Sequence, residues 1–437
     1  MRAGFSQIDF TPIEGFMPGE GLPFWAWGTR CPLLASAAAF AGEEESVILV
    51  SADLLLFSTA RANDLRARIG AATGVPTSHI MLAATHTHTG ASDYAEFYGT
   101  PGEPEVAAYV DACIVKAATE AYQRISDGFS VGTGKGIENR MSFNRDCVMD
   151  DGSIVSIPGA AAKDHIVGYL GTVDTDVHVM RVDNAAGEAA CFIVNYANHP
   201  DNHNTHRNEF SADFPGYLRN NLQRAFGKDT VVLFFNGACG DVNAYNYKSG
   251  VSERYASPVT YMAEEIGNML AETVFAIHRE IKVTATDIPI KAVVRTDTYQ
   301  KRVPAAWEIE QALATKAHIE AGERLRFEER YAADAALSFD PASPDITVEM
   351  QGIRLGDWRI ITTPGETYTE IGLAIKALAP DDKILVSELT NGWVGYVCPD
   401  STLGTAAYGA CYYSGAIGHG AKDKMVATAK ALLQELA

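Results

Sequence analysis

Ile80-Met81-Leu82-Ala83-Ala84-Thr85-His86-Thr87-His88-Thr89-Gly90 decides how this chain is read. Its apolar opening has the length and content of a buried strand, and it closes in a polar loop ended by glycine. In extended backbone, residues at i and i+2 project to the same face. His86 and His88 therefore emerge side by side where a strand gives way to a loop, the usual place for chemistry in an α/β fold. Neutral imidazole is the commonest transition-metal ligand. A metal or catalytic role stands here against the plainer reading of two hydrogen-bonded loop histidines.

Working outward, Ser46-Val47-Ile48-Leu49-Val50-Ser51-Ala52-Asp53 reads as a second buried strand. Between them, 58–72 places Leu65, Ile69 and Ala72 on one helical stripe. The three segments make a β-α-β unit that ends in the histidine loop. Further on, the patterning predicts helices over 104–125 and 258–280, strands over 190–197, 230–236 and 282–297, and one long solvated helix over 304–337. A hairpin turning at Leu355-Gly356-Asp357-Trp358, a strand over 383–388 and a closing helix complete the chain. Repeats and linkers are not visible. The expectation is an α/β fold, a mixed β-sheet core flanked by helices, forming a single integrated catalytic domain over 1–437.

The chain has 437 residues, of which 47% are hydrophobic and 21% charged, ordinary values for a globular protein. Its net charge of -20 opposes nucleic acid as a partner and opposes attraction to anionic lipid. Seven cysteines without a CxxC pair suit free thiols in a reducing compartment. The N-terminus has no signal-like apolar region, and no run has the length of a membrane span. The expectation is a cytoplasmic protein acting on a small-molecule substrate without stable membrane association; oligomeric state is not legible. Val131-Gly132-Thr133-Gly134-Lys135-Gly136 lacks phosphate-loop spacing and reads as a turn. No GxSxG nucleophile elbow is read at a strand-to-helix turn, and HExxH and GxGxxG are absent from the sequence.

A second cluster is Asn198-His199-Pro200-Asp201-Asn202-His203-Asn204-Thr205-His206. Pro200 and the asparagines oppose a helix, so the i, i+4 spacing of His199 and His203 does not make a helical metal pair. His199, held at a strand end, is the better ligand candidate; His203 and His206 read as solvated loop residues or substrate contacts. A catalytic zinc keeps about three protein ligands plus an open position. Glu366, in Thr362-Thr363-Pro364-Gly365-Glu366-Thr367, is either that third ligand or a first-turn helix residue. Asp53, Asp213 and Asp241 are either acceptors for histidine N–H groups or turn and cap residues. Cys239, in a glycine turn, is either a nucleophile or a buried structural thiol.

These motifs, in this order, resemble the neutral/alkaline non-lysosomal ceramidases. The resemblance rests on Ala3-Gly4-Phe5-Ser6-Gln7-Ile8-Asp9-Phe10-Thr11-Pro12, Val50-Ser51-Ala52-Asp53, His86-Thr87-His88-Thr89-Gly90, Asn198-His199-Pro200, Gly240-Asp241-Val242, Pro364-Gly365-Glu366-Thr367 and Gly395-Tyr396-Val397. It covers essentially the whole chain as that family's N-terminal catalytic domain, without its C-terminal β-sandwich domain. It implies a zinc ion held by His86, His199, Glu366 and Tyr396, with His88 assisting the chemistry from beside the metal. It further implies substrate contacts from Arg140, in Asn139-Arg140, and from Tyr408. The family's Gly-Asp-Val-Ser reads Gly240-Asp241-Val242-Asn243 here. An amide cannot serve as nucleophile, though it can hydrogen-bond a substrate. The implied function is zinc-dependent hydrolysis of an amide bond in a small polar substrate. The alternatives are a zinc esterase or lactonase, ceramidase activity proper, and a non-catalytic small-molecule binding protein.

Overall fold

The structure, a computed structural model, describes residues 1–18, 24–92, 102–203, 208–249, 262–379, 381 and 383–437. Three four-stranded sheets carry the fold, and all three have the same topology. In the first, Arg2–Asp9, Leu34–Ala41, Ser46–Ala52 and Ile80–Ala84 lie side by side in chain order. The first three run antiparallel; the last two are parallel and joined by helix Thr59–Thr73. The second sheet repeats this with Ser130–Ile137, Asp176–Asp183, Ala189–Tyr196 and Val231–Asn236, crossed by helix Asp213–Phe226. The third repeats it with Ile290–Tyr299, Ile346–Leu355, Trp358–Thr362 and Ile384–Ser387, crossed by helix Thr369–Lys376. A second helix follows each unit: Pro104–Gln123, Met262–Glu280 and Ala421–Leu436.

The parallel strands are apolar and buried because they are covered on both faces. Leu49 and Met81 of the first sheet, Ile193 and Phe235 of the second, and Trp358 and Leu385 of the third meet in one core. Buried polar side chains stitch the sheets together near the carboxyl ends of these strands. Ser51 donates to Phe234 O (2.7 Å), Asn195 to Val386 O (2.9 Å), and Asn391 accepts from Leu82 N (2.9 Å). A buried polar group is stable only when bonded, so these contacts fix the relative position of the strand ends. Asp53, His86, His199, Cys239, Glu366 and Glu388 all follow closely on those ends.

The mixed sheets and flanking helices are of the expected class; strands Leu34–Ala41 and Asp176–Asp183 and helix Asp213–Phe226 are not among the expected elements, and four further differences stand out. Residues 304–337 form two packed helices, Ala306–Glu320 and Phe327–Leu337. Gly322, at φ +80°, ends the first, and Ala312, Ala333 and Ala336 let the two pack closely. Val131–Gly136 is not a turn but part of strand Ser130–Ile137. Its alternating glycines make a flat face for the helix behind it; a Cβ on Gly134 would lie 2.7 Å from Ile277. The strand expected over 282–297 begins later, at Ile290. The repeated topology is the fourth difference. Among the described residues no helix is long and apolar enough to cross a membrane.

Candidate metal centre

His86 and His199 are buried, and their rings approach face to edge with centroids 4.5 Å apart. His86 Nδ1 lies 2.7 Å from Leu55 O, and His199 Nδ1 3.3 Å from Cys239 O. A carbonyl only accepts, so both Nδ1 atoms carry the proton and both Nε2 atoms present lone pairs. Those lone pairs converge, with Nε2 to Nε2 at 3.0 Å. Glu366 Oε2 joins them, 3.3 Å from His86 Nε2 and 3.7 Å from His199 Nε2. It is buried and has no hydrogen-bond donor, while Oε1 accepts from Trp393 Nε1 at 3.2 Å. Three such acceptor atoms repel one another unless a metal ion, or a proton on His86, lies among them. Ligands on a tetrahedral zinc with bonds of about 2.0–2.1 Å sit roughly 3.3 Å apart. The two-histidine, one-carboxylate donor set and its spacing therefore fit zinc.

Local backbone explains how these atoms meet. His86 has φ +74°, strained for a residue with a side chain, where the chain leaves the strand that ends at Ala84. Glu366 opens the two-residue strand Glu366–Thr367, paired in parallel with Tyr396–Val397 so that Glu366 and Tyr396 are register partners. Gly365 and Gly240 permit this close packing. A Cβ on Gly365 would lie 2.6 Å from Gly395 O, and one on Gly240 2.5 Å from Glu366 O.

Unless a metal ion lies between them, Glu366 and His86 act on each other as an ion pair. Burial pulls the His86 pKa down, but the facing Glu366 carboxylate outweighs it and the pKa is raised. Burial, then the charge of His86, pushes His199 well below its usual range. Burial opposes ionisation of Glu366, yet His86 holds its carboxyl at about 2. Burial, opposed by Arg145 and reinforced by Glu366, raises the Tyr396 phenol well above the usual range.

His88 stands beside the pair, its ring centroid 5.0 Å from His86 and 5.4 Å from His199. The three imidazoles each offer a nitrogen within 4.8 Å of the others. Tyr396 and Tyr408 lie edge to face at 5.3 Å. Asn243 is fully buried, its Nδ2 donating to Asp201 (2.7 Å) and its Oδ1 accepting from Arg145 (3.5 Å). Arg140 is not brought to this cluster by any described contact. It is half exposed and bound by Glu138 and Glu272. The guanidinium at the site belongs instead to Arg145, buried and stacked over Tyr396 (5.0 Å) and Tyr408 (5.6 Å). The dipeptide Asn-Arg occurs at 139–140 and again at 144–145, so the motif alone did not separate them.

Carbonyls, not carboxylates, orient the two converging histidines. Asp53 pairs with Arg219 (2.7 Å), Asp241 caps Thr369, and Asp213 accepts from the backbone N–H groups of Asn202 and His203. His203 is buried rather than solvated, 3.9 Å from Glu209; His206 lies outside the described residues. The Cys239 thiol donates to Glu388 Oε1 at 2.9 Å, and burial, with Glu388 beside it, raises its pKa well above the usual range. A thiol so held is not a nucleophile. Glu388 was missed because a carboxylate at a buried strand end has no sequence signature; burial raises its pKa to about 8.

The arrangement has known counterparts. No protein-family model and no curated protein sequence matches the chain. Solved structures do. The neutral ceramidase from Pseudomonas aeruginosa superposes with a TM-score of 0.72 at 18% identity, over 99% of this chain and 74% of that one. The chain has a neutral ceramidase-like fold. A ceramidase complexed with C2 gives a TM-score of 0.71 at 16% identity, over 99% of this chain and 75% of that one. The ceramidase-like fold thus extends over essentially the whole chain at an identity where the sequence retains only scattered motifs.

Proposed function

We propose that this chain is a zinc-dependent hydrolase that cleaves an amide bond of a small polar substrate. The observation that carries the reading is the convergence of His86 Nε2, His199 Nε2 and Glu366 Oε2, three acceptors without a donor. Tyr396, the register partner of Glu366, is the fourth ligand. Zinc held there would polarise a carbonyl and lower the pKa of water toward about 7.

The chain's own groups do the rest. His88, beside the ligands but less buried, takes the proton from the attacking water and returns it to the leaving amine. Water is the nucleophile because Asn243 cannot be one. Overall, water adds across the C–N bond to give a carboxylate and an amine. Asn243, bonded to Asp201 and Arg145, fixes the guanidinium rather than the reacting atoms. Tyr408 walls the site beside Tyr396.

The test pairs elemental analysis with a hydrolysis screen of short-chain amides and esters, ceramides included. The reading expects one equivalent of zinc and amide turnover, both lost in His86→Ala. Full zinc occupancy in His86→Ala contradicts the ligand set. Ester turnover without amide turnover makes the protein an esterase, and a metal-free protein that binds but turns over nothing makes it a binding protein.

A further inference from the structure

Arg145 is 3% exposed and, among the described residues, has no carboxylate within ion-pair distance. One terminal nitrogen donates to Gly240 O at 2.6 Å and the other to Asn243 Oδ1 at 3.5 Å. Nε is buried and has no partner. Nearby carboxylates are committed elsewhere: Asp146 to Tyr368 (2.8 Å), Asp241 to Asn144 (2.6 Å) and Asp201 to Asn243 (2.7 Å). A buried guanidinium is normally matched by an anion. Here, in a chain of net charge -20, it is held by neutral acceptors and two tyrosine rings against the metal-facing residues.

We propose that Arg145 is a specificity residue that receives a carboxylate of the substrate, and that the substrate is an amide carrying a carboxylate within a few bonds of the scissile group. This rests on the hydrolase reading above. The unpartnered Nε–H, set beside the terminal N–H groups of the same planar fork, and one unit of positive charge match a carboxylate. A phosphate dianion would have only half its charge balanced in this buried place. Asn243 gains a role by the same argument. Its carbonyl holds Arg145 and its amide is anchored on Asp201, so the residue at the family's hydroxyl position orients the anion receptor. The carboxylate does not react; it places the amide carbonyl next to Tyr396. It belongs to the amine half, as in an N-acyl amino acid, or to the acyl half, as in an N-succinyl amine, and the test separates the two.

Three amides of matched length serve: an N-acyl glycine, an N-succinyl alkylamine and an uncharged N-acyl alkylamine. Calorimetric binding to the metal-free protein and kcat/KM of the zinc-loaded protein are both measured. One of the two acids is expected to exceed the uncharged amide by about 10- to 100-fold, chiefly in KM, as charge-assisted hydrogen bonds allow. In Arg145→Gln that ratio falls to near one. In the wild type, acetate competes with the acid and acetamide does not, a readout that needs no variant. Equal treatment of acids and uncharged amide overturns the proposal, as does a preference that survives in Arg145→Gln. If Arg145 merely supports Tyr396, the variant weakens all three amides alike and leaves the ratio unchanged. Turnover without acid preference leaves the hydrolase reading standing and removes this one; acid-selective binding without turnover does the reverse.

Discussion

Replacing Glu366 by Gln tests the metal centre most directly, because it changes one atom of three. On the zinc reading proposed above, zinc at about 1,000 times its Kd would stabilise the folded wild type by about 4.1 kcal/mol. Unfolding entropy of about 2.1 cal/mol/K per residue amounts to roughly 0.9 kcal/mol/K for 437 residues, so the midpoint rises by about 4–5 °C. Glu366→Gln keeps the acceptor for Trp393 Nε1 and turns Oε2, the orphaned atom, into a donor facing the imidazole lone pairs. A buried unsatisfied acceptor costs about 1–3 kcal/mol, so the metal-free variant unfolds within about 3 °C of the metal-free wild type. It gains less than about 1 °C from zinc. The assay is calorimetric melting of chelated and zinc-replete protein at pH 6, 7 and 8. The zinc-induced rise should shrink toward pH 6, because His86, whose pKa Glu366 raises, must release its Nε2 proton to bind metal. A wild type that does not shift with zinc, or a variant that shifts as much as the wild type, refutes the three-acceptor argument.

His88→Ala should retain zinc by elemental analysis while kcat falls by roughly 100-fold, the loss of a general base; loss of zinc would make His88 a ligand instead. Glu388, raised by burial to about 8, keeps its proton in the folded state after the unfolded chain has lost it. Its contribution is therefore full below the unfolded carboxyl range and lost as pH rises toward 8, at about 1.4 kcal/mol per pH unit. Denaturant midpoints of the metal-free protein between pH 5 and 8 should fall less steeply in Glu388→Gln than in the wild type, and parallel slopes would show that Glu388 is ionised when folded. Gly134→Val should lower the melting temperature without altering zinc content. Its side chain meets Ile277 at a distance no Cβ tolerates, and overpacking costs about 1–3 kcal/mol. An unchanged melting temperature would mean that the helix behind the strand is free to move away.

The sequence was most legible where burial on both faces makes a strand apolar throughout. Val47–Ala52, Ile80–Ala84 and Val231–Asn236 stand out in this way, and the fold brings residues just past such strands together. Legibility failed where the deciding contact is remote. The glycines at 132, 134 and 136 have no local reason to be a strand; the reason is the helix that lies on them. Arg140 and Arg145 follow the same asparagine, and only the fold separates the guanidinium bound by Glu138 from the one stacked on Tyr396.

The repeated topology was invisible for a related reason, and it explains the site. Each unit needs apolar strands and a crossover helix, a demand that many sequences satisfy, so the repeat constrains patterning and not identity. Strand ends, by contrast, carry individual chemistry. The first unit ends its parallel pair in Asp53 and His86, the second in His199 and Cys239, the third in Glu366 and Glu388. One member of each pair faces the common point: His86, His199 and Glu366. The other member is held behind it, by Arg219 for Asp53 and by the Cys239–Glu388 contact for the remaining two. Three acceptor groups gathered at one point are what three such units produce when their strands converge on one core. The pairwise bonds of Ser51, Asn195 and Asn391 between the sheets set the distances among the ligands. Loss of any one of those bonds should therefore loosen the metal site as a whole rather than one ligand, since no unit holds its ligand in register without the other two.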